Sequence, residues 1–188
     1  MATKGRGRGT GPEPDLERFK ALLGSKEKFA RLHFYVQDAL GGPNATVWEI
    51  ARATVTDQSK TSFGQLRVVD DLLTVGLDRD SEKLGRVQGT IASTGIDQTA
   101  LTTNLNFYFT EGPYQGSTLC IVGRNPIDEK DRELAVVGGT GVFKAARGYA
   151  VTNTLSFDPV NNYGVLEYTM FVSYFDYGGG HPADISQD

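Results

Sequence analysis

From residue 28 to residue 174 apolar side chains return at every second position, run after run, and hardly anywhere at helical spacing. A chain patterned this way is committed to pairing strands. Leu32, Phe34 and Val36 alternate with His33, Tyr35 and Gln37, as a strand with one buried face requires. Comparable runs occupy 46–55, 63–74, 84–94, 99–109, 149–157 and 164–174, with others around Cys120 and Val136. Turn-forming clusters such as Gly41-Gly42-Pro43-Asn44, Gly123-Arg124-Asn125-Pro126 and Asp158-Pro159-Val160-Asn161-Asn162 divide them. About eight strands, roughly 10 to 20 residues apart, indicate an antiparallel barrel or sandwich. Prolines that would protect an exposed edge are scarce in these runs, and a closed barrel removes edges altogether. The expected fold is therefore all-β: an eight-stranded antiparallel closed β-barrel, able to enclose one small ligand.

The segment 131–150 packs a strand, the corner Gly138-Gly139-Thr140-Gly141 and a second strand into few residues. It is expected to turn the chain sharply and to aim Arg132 and Arg147 at neighbouring places. A phosphate cradle needs Gly-Lys-Ser/Thr or a following helix, and neither is present. These glycines read as positions of positive φ and close backbone approach. Small residues at nearly every other place in 84–94 suit an inner wall that a neighbouring strand or a ligand approaches closely.

At 188 residues with a net charge of −4 the chain reads as one domain. Its only basic cluster, Lys4-Gly5-Arg6-Gly7-Arg8-Gly9, stands at the start and reads as a disordered leader, so no nucleic-acid partner is expected. Cys120 is single and reads as a small buried strand residue; His33 and His181 lie far apart, and no metal or cofactor is expected. No apolar run is long enough for a signal peptide or a membrane span, which implies a soluble chain. The division expected is a disordered or weakly helical leader over 1–28, with any helix at 16–23, a barrel over 29–176 and a flexible tail over 177–188.

A set of fragments carries a resemblance when read in order. They are Leu32-His33-Phe34-Tyr35-Val36-Gln37-Asp38, Gly42-Pro43-Asn44-Ala45-Thr46, Asp70-Asp71-Leu72-Leu73-Thr74, Gly85-Arg86-Val87-Gln88-Gly89, Tyr114-Gln115-Gly116-Ser117, Gly123-Arg124-Asn125-Pro126, and Glu133-Leu134-Ala135-Val136-Val137-Gly138-Gly139-Thr140-Gly141 followed by Ala146-Arg147-Gly148-Tyr149. Over 31–174 the chain resembles the plant dirigent proteins. The resemblance implies an allene-oxide-cyclase-like barrel, a homo-oligomer (trimer or dimer) and a cavity at one end. It implies no cofactor: an external oxidase, laccase or peroxidase, makes phenoxy radicals from a phenolic substrate such as coniferyl alcohol. The cavity then steers coupling to one stereoisomer, in lignan or related phenylpropanoid metabolism and plant defence. Two alternatives stay open, a pterocarpan-synthase-like enzyme closing rings on isoflavanols and a defence-related binding protein. The family is usually apoplastic, and Asn44-Ala45-Thr46 is an N-glycosylation acceptor if the chain is secreted; without a visible signal peptide the cytosol is the alternative.

Carried over by motif, Asp38 matches a cavity aspartate at the end of the first strand and Arg132 a cavity arginine before the glycine corner. The resemblance makes them the catalytic pair, a proton-exchanging carboxylate and a forked orienting cation. Lignan-forming members carry an aspartate where this chain has Asn125 and tyrosines where it has Ile91 and Ser93, which implies a different substrate. These three and Tyr108 are candidate cavity residues, although Tyr108, Tyr35 and Trp48 also read as packing. The residue-level alternatives are a turn carboxylate for Asp38 and a salt bridge to Asp131 or Glu133 for Arg132. Asp70 and Asp71 are strand neighbours with opposite facing, so at most one enters the cavity, and both read as structural.

Overall fold

In the computed structural model, residues 13–175 are described. The Gly-Arg leader and the tail lie outside them. Helix α1 covers Glu13–Leu23 and the strands are β1 Glu27–Ala39, β2 Val47–Arg52, β3 Gln65–Thr74, β4 Lys83–Ser93, β5 Ala100–Phe109, β6 Thr118–Pro126, β7 Arg132–Thr140, β8 Arg147–Asp158 and β9 Tyr163–Phe175. Their order is β1-β9-β8-β7-β6-β5-β4-β3-β2, and β1 also pairs with β3 from Tyr35↔Thr74 to Gln37↔Leu72. That pairing closes an eight-stranded antiparallel barrel from β1 and β3 to β9. The run 46–55 is not a separate stave. As β1 ends, β2 takes its place along the rest of β3, from Val47↔Val69 to Arg52↔Gln65.

Alternation sorts the barrel into two unlike halves. At one end Phe34, Phe107, Phe109, Tyr114, Phe143 and Tyr174 pack as tilted and edge-to-face rings, with centroids 4.8 Å apart for Tyr114 and Phe143 and 5.5 Å for Phe34 and Phe107. The glycine corner builds this floor: Gly141, at φ +62°, starts the short turn Gly141–Phe143, which drops Phe143 into the barrel. At the other end, where β1, β4, β6 and β8 finish, the inward positions are polar.

In β4 the close neighbour is backbone: a Cβ on Gly85 would come to 1.9 Å of the Tyr108 carbonyl oxygen and one on Gly89 to 2.1 Å of that of Asn104. The small residues there let β5 approach. Two expectations are corrected. Arg147 stands outside the closed end, paired with Glu27 at 2.8 Å, far from Arg132. Cys120 lies half-buried on the outer face, its thiol donating to Asn106 Oδ1 at 3.0 Å, because odd positions of β6 face inward.

Gly85→Ala must push β5 away from β4, at a cost of about 3 kcal/mol. A thermal melt should fall by roughly 6–12 °C for a domain of this size; an unchanged melt would contradict the close approach.

Candidate functional site

The polar end is assembled by register. Arg67 of β3 lies opposite Ile91 of β4, which lies opposite Thr103 of β5; Ser93 is followed around the wall by Leu101 and Asn125. Farther round, Arg132 of β7 pairs with Thr152 of β8, and Thr152 with Tyr168 of β9. Asp38 faces in from β1 opposite Gly164. The register Val36↔Leu73, Gln37↔Leu72 runs on to set Asp38 beside Asp71, and cross-strand neighbours on one face stand about 4.5–5.5 Å apart at Cβ.

Five buried side-chain atoms among the described residues have no hydrogen-bond partner: Asp38 Oδ1, Arg67 Nε, Thr103 Oγ1, Asn125 Oδ1 and Thr152 Oγ1. All belong to inward positions of this one end. Buried polar groups are ordinarily satisfied, and leaving one unmade costs about 1–3 kcal/mol. Their concentration marks this end of the barrel interior as one that keeps hydrogen-bonding capacity for a polar occupant.

Asp71, read from the sequence as structural, is inside and 3% exposed. Its Oδ1 accepts from the Thr46 hydroxyl at 2.5 Å. Burial pushes its carboxyl well above the usual range, and the Asp38 charge beside it pushes in the same direction. Burial also raises Asp38, against the pull of the Arg67 guanidinium. Asp70 faces outward, where Arg86 Nε donates to its Oδ1 at 2.8 Å, and this bond lowers its pKa. Among the described residues no salt bridge holds Arg67; the charges of Asp38 and Glu49 support its guanidinium against desolvation. It is the cation facing Asp38, and it went unread in the sequence. Strand parity is the signal for it, but apolar residues fill both parities of 66–73.

Arg132 is inside and 3% exposed, on the opposite wall, with β8 and β9 between it and Asp38. Three of its five N–H groups are engaged, Nε by Thr152 O at 3.3 Å, one terminal nitrogen by Ile127 O at 2.9 Å and the other by Thr154 Oγ1 at 3.0 Å. Neither Asp131 nor Glu133 is its partner, and Asp38 and Arg132 do not form a local pair. Burial pushes the neighbouring Tyr168 phenol up to about 12. Ile91 and Ser93 face inward, Ser93 being buried, and Asn125 is buried with them. Tyr108 does not line the cavity: Phe107 and Phe109 on either side of it point in, so it points out and is 39% exposed. Trp48 is exposed as well. Asn44 lies exposed in the turn between β1 and β2.

The Dirigent-like protein family matches residues 29–173. The chain belongs to the dirigent family. It is 40% identical to Dirigent protein 21 of Arabidopsis thaliana, covering 78% of this chain and 77% of that one. It is 38% identical to Pterocarpan synthase 1 of Glycine max, covering 82% and 84%. A solved pterocarpan synthase dirigent protein superposes with a TM-score of 0.76 at 37% identity over 81% of this chain and 93% of that chain.

For this dirigent protein the raised carboxyls give a pH-dependent stability of known sign. A carboxyl whose folded pKa lies above its ordinary 3.8 contributes stability that is full below that value and lost as pH rises through the folded pKa. Asp71→Asn removes the loss while keeping an oxygen for Thr46. The variant should melt with wild type near pH 4 and above it at pH 8, by at least about 1 kcal/mol, or roughly 2–4 °C. A gap that does not grow with pH would show Asp71 to be ordinary.

Proposed function

We propose that the polar end of the barrel binds a phenolic substrate and sets the stereochemical course of bond formation at a quinone methide, with Asp38 exchanging the proton. The observation that carries this reading is the collection of a raised carboxyl, a guanidinium with its Nε unpartnered and unpartnered amide and hydroxyl groups on one inner face. A raised carboxyl exchanges protons near neutrality, where an ordinary one is spent. Coupling is the first form of the reaction. An external laccase or peroxidase takes one electron and one proton from each phenylpropanoid phenol, two radicals join, and the cavity decides which face of each reacts. Dehydrative ring closure on an isoflavanol is the second form, and the 37% identity to a solved pterocarpan synthase favours it. Asn125, where the resemblance implies an aspartate in lignan-forming members, supports a substrate outside that class. Secretion to the apoplast and assembly into a homotrimer or homodimer belong to the same proposal; glycosylation at Asn44 and sedimentation velocity test them.

Two incubations discriminate: coniferyl alcohol with laccase, and isoflavanols without oxidant, each analysed by chiral chromatography. One of them should give a product enriched in one hand. Asp38→Asn should lower that enrichment or the turnover about a hundredfold or more, with the melt within a few degrees of wild type. Racemic coupling together with no ring closure would refute the reading.

A further inference from the structure

We propose that Asp38 and Asp71 hold a single proton between them, so that one wall of the cavity supplies an acid and a base at the same pH. The inference rests on the reading above in its ring-closing form, and it adds Asp71 to the chemistry. Three geometric facts carry it. The β1–β3 register, continued one place past Gln37↔Leu72, sets Asp38 opposite Asp71 with both facing inward, and neither has a salt bridge among the described residues. Asp71 is 3% exposed, whereas Asp38 is half-buried and leaves Oδ1 unpartnered toward the cavity. Thr103 and Asn125, 1% and 8% exposed, hold unpartnered oxygens in the same polar end, so the pair shares its end of the barrel with other polar groups that lack partners.

Two carboxylates this close in a dry wall cannot both ionise cheaply. Arg67 decides which does, because its charge acts on Asp38. Asp71 instead feels Asp38 and Asp70 as like charges, relieved by the Thr46 hydroxyl and by Arg86 from the outer face. Tyr163 and the buried Tyr168 are the remaining titratable groups within reach, and burial raises both. Glu49 sits beyond Arg67 and supports its charge. Asp71 therefore keeps the proton behind Asp38, and Asp38, nearer the opening, is the group that meets the substrate. Asp71 acts through it as a positioning residue.

The proton count then closes. When a hydroxybenzylic phenol loses water, one proton goes to the departing hydroxyl as its C–O bond breaks, and one leaves the phenol as it becomes the quinone methide carbonyl. When a second hydroxyl adds to the exocyclic carbon, a C–O bond forms, that hydroxyl gives up its proton and the carbonyl oxygen takes one back. In each half the pair gives one proton and receives one, and no electron changes hands. A lone carboxyl would have to be ionised for one task and protonated for the other.

Carboxyl carbon NMR of protein labelled with 13C-aspartate, followed against pH, reads the pair without any substrate. One inward aspartate should stay protonated through neutrality, and in Asp38→Asn the midpoint of Asp71 should drop toward the ordinary range. An unmoved midpoint overturns the proposal. With a hydroxylated isoflavan as substrate, wild type should show a two-limbed pH–rate profile. Asp71→Asn should lose about a hundredfold in rate and collapse to one limb. A full rate with both limbs in that variant overturns the shared proton and leaves the ring-closing function standing. A shared proton by NMR with no turnover in wild type does the opposite. If Asp71→Asn fails to fold, the Asp38→Asn titration still decides.

Discussion

The seam where β1 meets β3 is the constraint on which the rest depends. β1 pairs with β9 along its whole length, yet it touches β3 at only Tyr35 to Gln37 before β2 replaces it. The handover is pinned by Thr46. Its N–H bonds Ala39 O at 2.8 Å, its carbonyl receives Asp70 N–H at 2.9 Å, and its hydroxyl accepts from Ala39 N–H at 3.2 Å. The same hydroxyl donates to Asp71. The closure that removes the sheet edges is thus fixed by the residue that also holds the deeper carboxyl. A seam that stops pairing at Asp38 leaves two inward carboxyls side by side with no ladder hydrogen bond between their strands.

Such a wall works against stability. Buried polar atoms without partners and a partly buried cation are costly, and this protein gathers them in one half of its barrel. The other half offsets them. Its floor is filled by aromatic rings and by Leu32, Leu119, Ile121 and Met170, all essentially inaccessible, and aromatic pairs contribute about 0.5–1.5 kcal/mol beyond their area. Phe143 belongs to this floor because the glycine corner turns it inward. That corner serves the site from the far end of the molecule, as packing rather than as a loop for ligands.

Much of this was legible in the sequence, for physical reasons that vary by residue. The strands were legible because period two and turn chemistry are local. Asp38 was legible because it continues the parity of Leu32, Phe34 and Val36, and Ile91 and Ser93 because they continue that of Val87. The same counting, applied to Leu105, Phe107 and Phe109, places Tyr108 outside. Arg67 and Asp71 were hidden differently. Leu66, Val68 and Leu72 on one parity and Val69 and Leu73 on the other make both faces of β3 apolar, since its outer face is half-covered. Only the cross-strand register shows which parity is inward, and register is a property of two strands together.

The two arginines show how that distinction bears on the chemistry. From the sequence Arg132 was the natural cation of the site; three of its five N–H groups go to Ile127, Thr152 and Thr154, which fixes it against its wall. Arg67 faces the cavity with Nε unpartnered and keeps its fork for something else. The polar end is consequently lopsided: both carboxyls and Arg67 lie on the β1–β3 side, with an amide, hydroxyls and the wall-held Arg132 on the β5 to β8 side. Under the proposed function this asymmetry is what confers handedness. A flat phenolic ligand resting on the apolar floor can turn over only by exchanging its contacts with the carboxyl wall for contacts with the amide and hydroxyl one. Hydrogen bonds to a carboxylate are about twice as strong as those to a neutral amide or hydroxyl, so the two orientations differ in energy. One face is then presented more often than the other, without any need for the protein to touch the reacting carbons.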